Sequence, residues 1–107
     1  SLFSVRDRDR TRFVKVTDID WVEASGNYVV MHAGKENFVL RETLAAVEAQ
    51  VSPKEFFRLN RSALARLDRV REVEPTFNDE HVVVLTTGAR IPLTRGVREL
   101  QERLKFA

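Results

Sequence analysis

The sequence has no cysteine, only two histidines and only four glycines. Without cysteine the chain forms no disulfide and no thiolate metal site, which is compatible with a cytoplasmic protein. Neither His32 nor His81 has a partner at a spacing typical of metal ligands, so each is predicted to be a strand-face residue. The glycines do not form a phosphate-binding loop. The sequence therefore predicts no enzyme and no cofactor.

Long hydrophobic runs are also absent. No apolar run approaches the roughly 18 residues that a membrane span needs, and no signal-peptide pattern opens the chain. We therefore expect a cytoplasmic domain that makes no membrane contact. A length of 107 residues with 43% apolar and 32% charged residues predicts one folded domain over residues 1–107. The chain opens inside an apparent strand without an initiator methionine, so we expect it to be cut from a longer protein.

Alternation with a period of two dominates the chain and predicts mainly β structure. The predicted strands form an N-terminal hairpin, a meander, two further strands and a last hairpin, at residues 2–6, 12–16, 19–25, 28–33, 36–41, 56–59, 70–74, 81–87 and 89–93. Amphipathic helices are predicted at 42–51 and 95–106. Consecutive apolar residues at 29–31, 38–40 and 82–85 indicate a middle sheet covered on both faces. The sequence thus predicts stacked sheets with short helices at their edges.

Arginine accounts for 14 of the 18 basic residues. Its planar fork of donors grips a phosphate or a guanine edge through two bonds, although arginine excess also follows from high genomic G+C content. In the segment FFRLNRSALARLDRV and just after it, Arg66, Arg69 and Arg71 fit either a solvated face of alternating charge or contact with DNA. Arg61 differs because no acidic residue lies within five positions of it, so its charge is locally uncompensated.

Paired carboxylates occur at Asp18 and Asp20, at the head of a predicted strand. They fit an exposed turn with a capping role better than a metal site.

Polar donors recur at three joints between apolar segments, residues 25–28, 58–62 and 94–96. Each joint offers asparagine, arginine, serine, threonine or tyrosine, the side chains that contact base edges and phosphates. One polar loop is ordinary, but three with the same chemistry favour a nucleic-acid surface.

At these joints the sequence resembles the LytTR family of DNA-binding output domains of bacterial transcription regulators. DIDWVEASGNYVVMH resembles the opening motif of the family, and VLRETLAAVEAQV resembles its R-x-S/T-L helix start. FFRLNRSALA is similar to F-x-R-x-H-R-S, and IPLTRGVRELQERL is similar to the closing I-P-V-S-R-x-Y segment. The four motifs occur in the family's order, most clearly from Asp18 to Leu100.

The resemblance implies an elongated stack of small antiparallel sheets with one or two short helices, in which loops grip DNA. Carried over to this sequence, the contacting positions are Asn27 or Tyr28, Arg61 and Arg95. With their neighbours at the same joints, the expected DNA-binding residues are Asn27, Tyr28, Arg58, Asn60, Arg61, Ser62, Thr94 and Arg95. Arg58 is expected to meet the DNA backbone rather than a base.

Four departures from the family pattern bear on the target sequence. Asn60 stands where the family has histidine, and Arg66 stands where it has asparagine. Thr94 replaces a serine, and Val97 replaces an aromatic residue. Asn60 and Thr94 keep hydrogen-bonding ability.

The resulting prediction is sequence-specific binding of double-stranded DNA by a domain of a two-component response regulator or similar protein. We expect a dimer on tandem half-sites, and an upstream receiver or sensor domain in the full-length protein. The alternatives are a protein–protein interaction module and single-stranded RNA binding. The second needs exposed aromatic residues, which are few here.

Overall fold

A computed structural model describes residues 1–94 and 96–105, which form ten strands and two α-helices. The strands are β1 (Leu2–Asp7), β2 (Arg10–Lys15), β3 (Trp21–Ser25), β4 (Tyr28–Ala33), β5 (Glu36–Leu40), β6 (Phe56–Asn60), β7 (Ala63–Arg66), β8 (Val70–Pro75), β9 (His81–Leu85) and β10 (Arg90–Leu93); the helices are α1 (Leu44–Glu48) and α2 (Val97–Leu104).

The strands form three antiparallel sheets within this part of the chain. β1 pairs with β2, a five-stranded sheet has the order β5-β4-β3-β7-β6, and a three-stranded sheet has the order β10-β9-β8. The molecule measures 46 × 29 × 24 Å. The predicted mainly β fold, an elongated stack of small sheets with short helices, is confirmed.

The five-stranded sheet is covered on both faces, as the runs of apolar residues predicted. On one face, residues such as Val22, Met31 and Leu64 pack against the β1–β2 hairpin and α1. On the other face, Phe57 and Leu59 pack against the three-stranded sheet and α2. Each core holds the middle sheet from one side, so the turns at its ends are carried by a rigid support.

Strand β7 is the element that the sequence pattern did not predict. All four of its residues are buried, because β7 lies between β3 and β6 in a sheet with a core on each side. Such a strand has no solvent face and shows no alternation.

Helix α1 is shorter than the predicted 42–51. It begins after Thr43, whose side-chain oxygen accepts a hydrogen bond from the backbone N–H of Ala46 (3.0 Å), and it ends at Glu48. A threonine in this position satisfies a free amide at the start of a helix, so Glu42 lies before the first turn.

The expected exposed position of Asp20 is wrong, whereas Asp18 is exposed. The Asp20 side chain is only 7% exposed. It accepts hydrogen bonds from the Gly34 backbone N–H (2.8 Å) and from Arg69 Nε (2.7 Å). This Asp20 clamp joins the β4–β5 turn to the segment before β8. It satisfies a carboxylate that would otherwise be costly to bury.

The hydrogen bond that Arg69 donates to the Asp20 carboxylate raises the pKa of Arg69, with burial opposing the effect and the nearby Asp68 carboxylate adding to it. Because the pKa of Arg69 is higher in the folded than in the unfolded state, its contribution to the free energy of unfolding is fully present at pH values below the unfolded-state pKa. The contribution of Arg69 is thus complete at neutral pH and is lost only in strongly alkaline solution.

Arg66 lies neither on a solvated face nor at a DNA surface, so both of its expected placements are wrong. Its side chain is 5% exposed, and its guanidinium donates to the carbonyl oxygens of Ile19 (2.9 Å) and Val16. The same group lies over the Phe56 ring, 4.6 Å from the centroid. Arg66 is therefore part of the core.

Helix α2 begins after Gly96, whose φ is 76°. A Cβ at this position would lie 3.1 Å from Phe57 Cζ. Both the left-handed backbone and the close aromatic ring favour glycine at this position. No helix in residues 1–94 and 96–105 is long and apolar enough to cross a membrane.

Candidate nucleic-acid interface

The three polar joints of the sequence meet at one end of the five-stranded sheet. The backbone N–H of Ala24, next to the β3–β4 turn, donates to the Ser62 carbonyl (2.8 Å). The Thr94 N–H, after β10, donates to the Leu59 carbonyl (3.1 Å). The segment from Leu59 to Ser62 is thus bonded on one side to β3, just before the first joint, and on the other side to Thr94 of the third joint.

The β3–β4 turn consists of Gly26 and Asn27 alone. Gly26 has a φ of 59°, the positive value that a two-residue hairpin turn requires at its first central position. The turn brings Asn27 to the end of the sheet, where it is exposed.

A bulge in β6 directs the second joint. Arg58 pairs with Leu64 and Asn60 pairs with Ala63, so Leu59 is an extra residue in the ladder. Without a bulge, successive side chains alternate between faces. Here Leu59 and Asn60 both lie on the β10 side, where Leu59 is fully buried and Asn60 donates from Nδ2 to the Pro92 carbonyl (2.7 Å).

Two open grooves lie at this end. The β10 groove, of about 630 Å³, runs between β3, the β6–β7 turn and β10, and its lining includes Glu23, Asn60, Arg61, Ser62, Arg90 and Thr94. The α1 groove, of about 650 Å³, lies between the β3–β4 turn and the start of α1, and its lining includes Asn27, Tyr28, Arg41, Glu42, Arg58 and Arg61.

Arg61 lines both grooves. Its side chain is exposed and makes no hydrogen bond or ion pair with any residue in 1–94 or 96–105. None of the five N–H donors of its guanidinium is therefore used within the described residues, and the side chain stands on a turn of two residues.

Comparison with known proteins gives the family. Residues 9–105 match the LytTr DNA-binding domain family. The chain belongs to the LytTR family. It is therefore a DNA-binding domain, and the function predicted from its motifs is confirmed at this level.

Relatives of this LytTR domain include the sensory transduction protein LytT of Bacillus anthracis, 27% identical over 94 residues, with 87% of this chain and 38% of the relative covered. The transcriptional regulatory protein YpdB of Escherichia coli K12 is 26% identical over 107 residues, with 91% and 44% covered. The chain thus spans about two fifths of the length of these relatives.

The fold also matches a solved structure, the LytTr DNA-binding domain of a Bacillus cereus protein. The TM-score is 0.83, with 16% identity and coverage of 97% of this chain and 96% of that one. At this identity the match shows that the two chains share a fold.

The structure places seven of the eight predicted DNA-binding residues at the same end of the LytTR domain, each lining at least one groove: Asn27, Tyr28, Arg58, Asn60, Arg61, Ser62 and Thr94. Tyr28 is 44% exposed. The eighth, Arg95, lies outside the described residues.

Two of these seven side chains are engaged within the protein. Arg58 donates to Glu48 and to the carbonyls of Asn60 and Arg61. Asn60 accepts from the Ser62 N–H (2.7 Å) through Oδ1, besides its bond to Pro92. These bonds favour support of the β6–β7 turn over direct contact with DNA.

Two arginines that line the grooves were not predicted from the sequence as DNA-binding residues. Arg90 lines the β10 groove and pairs with Glu74 (2.9 Å). Arg41 lines the α1 groove, is exposed, and has no side-chain hydrogen bond or ion pair within the described ranges. A signal for Arg41 was present, because the tight turn at Gly34 pairs Ala33 with Glu36. Counting back along this hairpin places Arg41 opposite Tyr28.

His32 is a strand-face residue, as predicted. Its ring stacks on Trp21 at 4.3 Å, and its Nε2 lies 3.2 Å from Glu23 Oε1. Across residues 1–94 and 96–105 there is no group of three or more histidine, aspartate or glutamate side chains that is arranged to hold a metal ion.

Proposed function

We propose that this LytTR domain binds double-stranded DNA in a sequence-specific manner, with Arg61 reaching base edges from between the two grooves. The observation that carries the proposal is the free, exposed guanidinium of Arg61 on a turn held between β3, through Ser62, and Thr94, through Leu59. A bidentate contact from arginine to guanine O6 and N7 requires such a group on a rigid support.

The neighbouring residues then have separate roles. Asn27 and Tyr28 contact DNA on the α1 side of Arg61, and Thr94 contacts it on the β10 side. Arg95 is proposed as a further DNA contact on the strength of its motif alone. Ser62 is exposed beside Arg61, and its hydroxyl donates a hydrogen bond to the DNA. Because the donors of Arg58 and Asn60 are used within the protein, these two residues hold the turn instead of contacting a phosphate.

A few base-reading side chains give one domain limited discrimination, since each good contact contributes only about 1–3 kcal/mol. We therefore propose that two copies bind as a dimer to adjacent half-sites arranged as a direct repeat. Binding to two half-sites at once multiplies affinity without any new type of contact.

The chain acts, in this proposal, as the output domain of a longer cytoplasmic regulator that also has a receiver or sensor domain. The support is its coverage of 38% and 44% of a sensory transduction protein and a transcriptional regulatory protein.

The proposal is tested by selecting bound sequences from a pool of random duplexes and then titrating salt on the selected duplex. DNA binding releases counterions, so log K is expected to fall linearly with log salt, with a slope of about −0.9 for each neutralised phosphate. With three such contacts, the affinity falls roughly fortyfold between about 50 and 200 mM salt. Failure to enrich any sequence would contradict the proposal, and affinity that hardly changes with salt would favour a protein-interaction module.

Arg41 is expected to contact a phosphate, because it is exposed at the rim of the α1 groove beside Tyr28. Replacing Arg41 by alanine should weaken binding to selected and random duplexes by the same factor, about two- to fivefold, and should reduce the salt slope by about 1. Arg71→Ala is the charge-matched control, because Arg71 lines neither groove. A loss confined to the selected duplex would instead make Arg41 a base-reading residue.

A further inference from the structure

Arg58 holds the backbone of the turn that carries Arg61. Its Nε donates to the Asn60 carbonyl (2.9 Å), and its Nη2 donates to the Arg61 carbonyl (2.7 Å). Its remaining nitrogen, Nη1, donates to Glu48 Oε1 (2.7 Å). All three guanidinium nitrogens are therefore used, two on the turn and one on helix α1.

The opposite side of the turn is held by Asn60. The Asn60 side chain bonds the Ser62 N–H and the Pro92 carbonyl. Arg58 therefore provides the link to the α1 side, and Asn60 provides the link to the β10 side. Within a turn of two residues, the direction of the Arg61 side chain follows from how these backbone groups are held.

Glu48 fixes the position of Arg58. It is the last residue of α1, and its side chain is 43% exposed, whereas that of Arg58 is 22% exposed. The partial burial of the arginine head strengthens a charge-assisted hydrogen bond relative to a fully solvated pair. Without Glu48, the guanidinium of Arg58 has one fewer bond to keep it under the turn.

We propose that Glu48 and Arg58 are positioning residues that direct Arg61 towards DNA, so that an acidic side chain on α1 is required for full DNA affinity. This inference rests on the proposed function. In this proposal Glu48 strengthens DNA binding by holding Arg58, whereas an acidic side chain in a groove, such as Glu42, weakens DNA binding by repelling the phosphates.

The sign of the effect separates the two roles. Removal of an ordinary acidic group near a DNA surface strengthens binding, because the phosphates are negative. Removal of Glu48 should weaken binding to the selected duplex, because a small displacement of a contacting group costs more than the gain in charge.

The matched control is Glu42, which is close to α1 and lines the α1 groove together with Arg61. Its side chain makes no hydrogen bond or ion pair with residues 1–94 and 96–105. Glu42→Ala and Glu48→Ala remove the same charge from neighbouring sites, and alanine suits the helical position of Glu48.

The experiment measures the affinity of each variant for the selected duplex and for a random duplex. Glu48→Ala is expected to bind the selected duplex about fivefold more weakly than wild type, with little change on random DNA. Glu48→Gln keeps an acceptor oxygen for Arg58 and should restore part of the loss. Glu42→Ala should bind both duplexes as tightly as wild type or more tightly. Thermal unfolding of each variant shows whether the fold is intact. If Glu48→Ala lowers the thermal unfolding midpoint, the DNA affinities of Glu48→Gln and Glu42→Ala are compared instead.

Two failures are distinguishable. If wild type binds the selected duplex and Glu48→Ala binds it as well as Glu42→Ala does, the positioning role is wrong while the proposed function stands. If wild type enriches no sequence at all, the proposed function fails and this inference fails with it.

Discussion

Replacing Arg61 by alanine is expected to weaken binding to the selected duplex about tenfold to a hundredfold, with a much smaller loss on random DNA. A bidentate arginine–guanine contact gives about 1–3 kcal/mol of discrimination, and each 1.4 kcal/mol is a factor of ten. The exposed and unpaired guanidinium of Arg61 leaves no internal contact to be lost, so the fold should keep its stability.

Arg61→Lys separates charge from geometry. Lysine keeps the positive charge but lacks the planar fork, so it should retain binding to random DNA and lose most of the preference for the selected duplex. Competition titrations with both duplexes measure this ratio, with Arg71→Ala as the control for loss of one charge outside the grooves. Equal losses on both duplexes would assign Arg61 to the phosphate backbone.

Replacing Asp20 by alanine is expected to lower the free energy of unfolding by about 2–4 kcal/mol, the largest stability effect that we predict. The substitution leaves the Gly34 N–H without its acceptor and removes the partner of Arg69. Breaking a buried ion pair costs about 3–5 kcal/mol, whereas the N–H of Gly34, an exposed residue, loses a hydrogen bond worth about 1 kcal/mol and can bond to water instead. Arg69 remains 31% exposed and can regain water, so the total stays below the sum.

Asp68→Ala is the matched control for the Asp20 clamp. Asp68 also pairs with Arg69 (2.8 Å) but its side chain is 67% exposed, so its removal should change stability by no more than about 0.5 kcal/mol. Denaturant unfolding measures both variants. For a domain of this size, Asp20→Ala should also lower the thermal midpoint by roughly 10–20 °C. Equal midpoints for the two variants would show that the clamp contributes nothing beyond a surface pair.

Local patterns were enough to predict most of the strands. The turns at Gly26, Gly34 and Gly88 punctuate alternating segments, and the structure forms hairpins at all three. The pattern did not identify β7, because a strand buried on both faces shows no alternation.

The burial of charged side chains depended on partners that are remote in sequence. Arg66 reaches carbonyl oxygens 47 and 50 residues earlier, and Asp20 is bonded by Arg69, 49 residues later. A sequence of alternating charges resembles a solvated face unless those partners are known. Asp20 and Arg66 were therefore misplaced for the same physical reason.

The candidate site was predictable as a set of loops, since donor side chains at three joints are visible in the sequence. The sequence did not show which of these side chains are bonded within the protein and which are free to contact DNA. Arg58 and Arg61 are both arginines of one motif, yet Arg58 is bonded into the turn while Arg61 is free. Only the bulge and the position of α1 distinguish them.

The extra residue in β6 has a consequence for how much the β6–β7 connection can vary in length. Loss of Leu59 would restore regular pairing and leave Asn60 on the β10 side, but it would remove a fully buried side chain and the carbonyl that accepts a hydrogen bond from the Thr94 N–H. The spacing of the motif is therefore as much a part of the binding surface as the identities of its side chains. Amino-acid exchanges at positions 61 and 62 are compatible with the same scaffold, whereas deletion of Leu59 removes a core contact and the hydrogen bond that joins β6 to Thr94.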